Sequence, residues 1–246
     1  MPGGARVTAA VGTFTLEADG ERLACTVVEP AAPVRRGAAL LMHGAGSSGK
    51  HRCLPLAEEL AAAGCRSVVF DFAGHGESTG DLGQLSLARR ARQARAVLAR
   101  YAPDGPLLLA GFSMSGQTVA DLLGDPDIGG RVQALALGAP AAYAREVREL
   151  PFAAPEFTAT LRTPGSWRSS SAFETFAAFD GRAVLVLPET DEVIPAEVTD
   201  ALDAALRTRA AYTRLTLPGA DHQLGGWLST HPEHRALVAA ALLSEA

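Results

Sequence analysis

From Ala38 onward, short and almost wholly apolar runs alternate with amphipathic stretches, and this alternation constrains the fold more than any other feature of the chain. The apolar runs read "AALLMHG", "SVVFDF", "PLLLAGF", "VQALALGAP", "AVLVLPE" and "TRLTLPG". Helical patterning falls between or after them near Leu54–Ala63, Leu85–Tyr101, Gly116–Leu123, Ala196–Arg207 and Pro232–Leu243. Strands apolar on nearly every residue must be covered on both faces, and amphipathic crossovers supply that cover. The pattern predicts an α/β protein with a mostly parallel central sheet and helices on both faces. Ahead of it, "VGTFTLEA" and "RLACTVVEP" flank Asp19-Gly20, a strong signal for an antiparallel hairpin.

Parallel sheets bind ligands beyond the carboxyl ends of their strands. The residues just after each predicted strand are therefore the candidates: His43 to Gly46, Asp71 to Ser78, Ser113, Ala139-Pro140, Glu189 to Asp191, and Asp221-His222. One stretch breaks the alternation. Residues at about 141–180 show no strand pattern, yet hold Phe152, Phe157, Trp167, Phe173, Phe176 and Phe179. A compact domain rarely spends so long a segment on structureless chain, so a lid-like insertion in one domain spanning 1–246 is expected. Two readings of the aromatics stay open. The three-residue spacing of Phe173, Phe176 and Phe179 is helical and packs a lid onto its domain. Phe152, Phe157, Trp167, Phe173 and Phe176 also suit the lining of a substrate pocket.

Several classes are disfavoured. At 246 residues and 48% apolar content the chain needs no disulfide or metal to fold. A net charge of -5 offers no basic stripe for nucleic acid. No window reaches the length of a membrane span, and "MPGGARVTAA" lacks the apolar core of a signal peptide. Cys25, Cys53 and Cys65 have no metal-ligand spacing and read as thiols of a reducing compartment, so a cytoplasmic location is expected. "HGAGSSGK" has phosphate-loop glycines, but His51 stands where that loop needs Ser or Thr, so neither nucleotide nor other cofactor is expected. The arginines 89, 90, 92 and 95 read as the solvated face of the helix that carries Leu87, Val97 and Leu98.

The chemistry gathers around "GFSMS". A serine hydroxyl is a poor nucleophile at neutral pH and needs a base oriented by a third group. Ser113 follows an apolar run ending in Gly111 and precedes a helix start, the corner that exposes a nucleophile beside free N–H groups. The common form is G-x-S-x-G, and here Ser115 replaces the last glycine while remaining small. Asp191 follows one later strand and His222 the next, so the order is Ser, acid, His. Glu189 competes with Asp191 for the acid. His43 and His75 suit structural roles in their loops, and Asp221 suits a turn.

Five signatures occur in order, "LLMHGAGSS", "VFDFAGHGES", "GFSMSG", "PETDEVIP" and "PGADH". With them the chain resembles α/β-hydrolase fold serine hydrolases, similar to small esterases, thioesterases and monoacylglycerol-lipase-like enzymes, from about Arg22 to Leu243. The resemblance implies Ser113 as nucleophile, Asp191 as acid and His222 as base. It places the oxyanion hole at the N–H groups of Ala45 and Met114. The implied substrate is a small acyl compound, an ester or thioester. The same scaffold also hosts acyltransferases, lyases and C–C bond hydrolases, and can serve as a silent binding protein.

Overall fold

Asp19 and Gly20, with φ of 53° and 79°, fold β1 (Ala10–Ala18) directly back onto β2 (Glu21–Glu29). Ala18 pairs with Glu21, so the loop has the two residues that Asp-Gly predicts, with the positive φ values that match strand twist. The structure is a computed structural model describing residues 10–31, 33–34 and 36–244.

After the hairpin come β3 (Ala38–Met42), α1 (Leu54–Ala62), β4 (Arg66–Phe70), α2 (Leu87–Tyr101), β5 (Leu107–Phe112), α3 (Ser115–Leu123) and β6 (Val132–Gly138). Then follow α4 (Pro155–Arg162), α5 (Ala172–Ala178), β7 (Arg182–Pro188), α6 (Ala196–Leu206), β8 (Ala211–Leu217), α7 (Leu224–Thr230) and α8 (Pro232–Leu243). The strands form one sheet in the order β1-β2-β4-β3-β5-β6-β7-β8. Pairing is antiparallel from β1 through β2 to β4 and parallel across the rest.

Why the strands read as solid apolar runs is visible in their two faces. Leu40, Met42, Leu107, Leu109, Leu135, Leu137 and Leu185 enter one core, under α2, α3, α5 and α6. Their alternates Ala39, Leu41, Leu108, Ala110, Ala136, Val184 and Val186 enter the other, under α1, α7 and α8. Helices cover both faces, and each buried leucine contributes about 1.5–3 kcal/mol.

The segment 141–180 lies between β6 and β7 and carries no strand, only α4, α5 and short 3-10 turns at Arg145–Val147 and Ser166–Ser169. Its aromatics divide. Phe176 is fully buried in the core beside α3 and α6, so it packs the fold and cannot line a pocket. Trp167 and Phe173 meet edge to face at 5.6 Å and pack against that same core.

One sequence expectation is overturned. Arg90 is not on a solvated face: its side chain is wholly buried. Arg89 and Arg92 grip Asp19 of the hairpin, and Arg95 pairs with Asp125 and Asp127. Arg90 lies on the stripe with Leu87, Ala94, Val97 and Tyr101, all buried and spaced by three and four residues.

A surface cavity of about 610 Å³ opens at the amino ends of β5 to β8, against Leu108, Ala134, Arg182 and Ala211. It contains none of the candidate residues. Those stand at the opposite, carboxyl edge, where parallel sheets bind ligands.

Candidate active site

Ser113 occupies the corner between β5 and α3 with φ of 51°, a left-handed conformation that costs a non-glycine residue about 1–3 kcal/mol. Its backbone is pinned by three bonds. Ser113 N donates to Gly138 O at 2.8 Å, and its carbonyl accepts from Gly116 N at 2.9 Å and Ala141 N at 3.0 Å. The corner is too crowded for a side chain at Gly111, where a Cβ would lie 2.6 Å from Ser115 O and 2.8 Å from Val119 Cγ2.

His222 follows β8, and its Nε2 lies 3.0 Å from Ser113 Oγ. Its Nδ1 lies 3.1 Å from both carboxylate oxygens of Asp191, on the loop after β7. An ionised carboxylate only accepts, so the Nδ1 proton points to Asp191 and leaves Nε2 free to accept from the serine. Asp191 Oδ1 also accepts from Val193 N and Ile194 N, each at 2.9 Å, which fixes the carboxylate before the imidazole meets it.

Glu189 does something else. Its Oε2 accepts from Gly219 N at 2.8 Å, while Thr190 N donates to Ala220 O at 3.2 Å. Together these bonds stitch the Asp191 loop to the His222 loop. Asp221 accepts from Gln223 N at 2.8 Å and shapes the turn.

The loop after β3 lies against the serine, for a Cβ on Gly44 would sit 3.3 Å from Ser113 Cβ. Among the described residues the N–H groups of Ala45 and Met114 have no acceptor, so both remain available to a substrate oxygen.

Behind this loop is a buried polar lock that the sequence did not reveal. His43 Nδ1 donates to Gly44 O at 2.6 Å, and its Nε2 accepts from Phe72 N at 3.2 Å. Burial, with Arg90 nearby, holds the His43 imidazole well below its ordinary pKa, so it is neutral. Burial also lowers His75, whose Nδ1 donates to Ala73 O at 3.0 Å. Asp71 accepts from Lys50 N and Lys50 Nζ at 2.7 and 2.8 Å and from Glu77 N at 3.1 Å. Lys50, the lysine of the phosphate-loop look-alike, is thereby tied to Asp71 and Glu77.

The corner at Ser113 and Met114 has two unlike sides. On one, Met114 clusters with Leu87, Val147 and Phe157, joined by Ala45, Tyr143, Leu150 and Phe152. Phe152 and Phe157 of the 141–180 segment pack in this cluster, with ring centroids 5.0 Å apart. On the other, Ser48, Arg52, Cys53 and Gln223 line a narrow space of about 50 Å³ together with Ala45, Ser113 and His222. Burial raises the thiol of Cys53 to about 12, and those of Cys65 and Cys25 to about 12 and about 11. All three cysteines are unpaired and buried.

The sheet order and the strand-to-helix corner define an α/β hydrolase. A family model described as "Serine aminopeptidase, S33" matches residues 33–166, and the chain belongs to that family. Its fold is shared with a thioesterase domain from the curacin biosynthetic pathway, 19% identical with a TM-score of 0.69 over 96% of this chain and 100% of that one. It is shared too with the ferulic acid-bound Est1E from Butyrivibrio proteoclasticus, 20% identical, TM-score 0.68, covering 93% and 96%. The Pyrococcus furiosus esterase Pf2001 is 16% identical with a TM-score of 0.68, covering 95% and 92%. No curated protein matches the chain. Among the described residues no helix is long and apolar enough to cross a membrane.

Proposed function

We propose that this hydrolase cleaves a carboxylic ester or thioester of a small acyl compound through an acyl-enzyme. The observation that carries the reading is the unbroken series Ser113 Oγ, His222 Nε2, His222 Nδ1 and Asp191 carboxylate. Ser113 Oγ attacks the carbonyl carbon as His222 Nε2 takes its proton. The tetrahedral oxyanion receives the N–H groups of Ala45 and Met114, each worth about 2.7–4 kcal/mol of barrier. Collapse expels the alcohol or thiol, which takes the proton from His222. Water, deprotonated by the same imidazole, then releases the acid and regenerates the serine. Asp191 stays ionised and holds the imidazole in the tautomer these steps need. The segment 141–180 acts as a cap on this single domain, with Phe152 and Phe157 facing the acyl group.

Esterase and thioesterase fold relatives support this reading at the level of scaffold. The family description favours a second one, release of an N-terminal residue from a peptide. A free α-amino group calls for a carboxylate in the cleft. The residues lining it beside Ser113 include Arg52 and no Asp or Glu, which favours the ester.

The test is pre-steady-state turnover of p-nitrophenyl and acyl-thioester substrates beside aminoacyl anilides. The account expects an ester burst equal to the enzyme concentration, absent in Ser113→Ala. Turnover of anilides alone would replace it with the peptidase.

A further inference from the structure

We propose that the cleft binds an anionic group of the substrate, a carboxylate or phosphate, through Arg52 on the flank opposite the Met114 cluster. This rests on the hydrolase reading above and names the substrate class of the same site.

Arg52 ends the short helical turn Lys50–Arg52 that follows the Ala45 loop, and it is half-buried at the cleft wall with Ser113 and His222. It is the one permanently charged side chain among the residues lining that space. Its neighbours in charge are already committed. Lys50 is paired with Asp71 and Glu77, and Arg235 faces Glu59. The described bond of Arg52 goes instead to a neutral group, from Nη1 to Gln223 Oε1.

That bond has a chemical consequence. Because the Gln223 carbonyl oxygen is occupied by Arg52, the amide presents its NH2, a donor. Arg52 keeps further N–H donors on its fixed guanidinium fork, and Ser48 offers a hydroxyl beside it. The flank is therefore rich in donors and holds no acidic side chain, the complement of an oxyanion. On the opposite side the half-buried Tyr143, Leu150 and Phe152 pack against the Met114 cluster, an apolar surface that suits a hydrocarbon. Ala45 belongs to both, so a carbonyl seated at its N–H would have an apolar substituent on one side and an anionic one on the other.

Arg52 could also act only as a strut, since Gln223 adjoins His222. The experiment separates the two roles by substrate charge. Turnover of p-nitrophenyl butyrate is compared with p-nitrophenyl hemisuccinate, phenyl acetate with 4-acetoxybenzoate, and phenyl acetate with its ring-phosphorylated analogue. These pairs put the anion on the acyl side or the leaving-group side, and as carboxylate or phosphate. The wild type should prefer the anionic member of at least one pair in kcat/KM. Arg52→Gln should reduce that ratio by about tenfold or more, in KM, and Arg52→Lys should restore part of it. A ratio unchanged in Arg52→Gln, with both members falling together, would identify a strut and overturn the proposal, as would a wild type with no preference. Failure of the hydrolase reading would look different, as no turnover of any ester. Calorimetry of the Ser113→Ala protein with succinate monoester and with inorganic phosphate then decides the matter alone. Binding lost in Ser113→Ala/Arg52→Gln supports the anion site, and equal or absent binding refutes it.

Discussion

Arg90 Nη2 donates to Ser115 Oγ at 2.7 Å, deep beneath the corner that carries Ser113. The same nitrogen donates to His43 O at 2.8 Å, and Ser115 Oγ donates to that carbonyl at 2.6 Å. The guanidinium carbon stacks 3.7 Å from the Phe72 ring centroid. The serine that replaces the usual glycine therefore does more than fit. It joins the nucleophile corner to the loop that presents Ala45, through a buried cation whose pKa burial pushes down to about 9. Ser115→Gly should lower the unfolding free energy by about 1–3 kcal/mol, because Arg90 and His43 O lose a buried partner. In a double-mutant cycle with Arg90→Met, urea denaturation should give a coupling of about 0.5–3 kcal/mol. Simple additivity would show that the three groups do not act together.

The φ of 51° at Ser113 predicts a conflict between stability and reactivity. Ser113→Gly should be more stable than Ser113→Ala by about 1 kcal/mol, since only glycine accepts that conformation freely. Both variants should be inactive. Equal melting temperatures for the two would mean that the corner stores no strain.

Asp191 and Glu189 should separate in kinetics. Asp191→Asn keeps the shape but supports the wrong imidazole tautomer, and kcat should fall by about 10⁴-fold. Glu189→Gln should leave kcat within a few-fold of wild type, because its contact is to Gly219 N and not to the imidazole. A larger loss at Glu189 than at Asp191 would reverse the assignment of the acid.

Acid should destabilise the fold through the buried pair His43 and His75, whose rings lie 4.8 Å apart. Both have folded pKa values lowered below the ordinary 6.5. Their neutral forms contribute fully above about pH 6.5. As pH falls below that value the unfolded chain binds protons that the folded one refuses, and stability declines. The slope is at most about 1.4 kcal/mol per pH unit for each histidine. Urea midpoints measured from pH 7 to pH 5 should fall, and should fall less steeply in His75→Gln. A flat profile would mean that neither imidazole is held neutral.

Much of the fold was legible because burial on both faces leaves a local mark. The solid runs around Leu40, Leu109 and Leu185 and the Asp19-Gly20 turn need no distant partner to be recognised, and Ser113, Asp191 and His222 each follow such a run. The lock at Arg90 was read wrongly because charge outweighed position. Its three- and four-residue spacing from Leu87 and Ala94 marked it as inward-facing, and that signal was available. The division of the aromatics was not, since whether Phe157 or Phe176 meets Met114 depends on how α4 and α5 dock. The short α7, with Gly225 and Gly226 in its first turn, gave no helical pattern to read.

The central claim is that Ser113 is the nucleophile activated by His222, and covalent labelling tests it most directly. A fluorophosphonate probe followed by peptide mass spectrometry should place a single adduct on Ser113, greatly slowed in His222→Ala and absent in Ser113→Ala. An adduct on another residue, or labelling that persists undiminished in Ser113→Ala, would contradict the account.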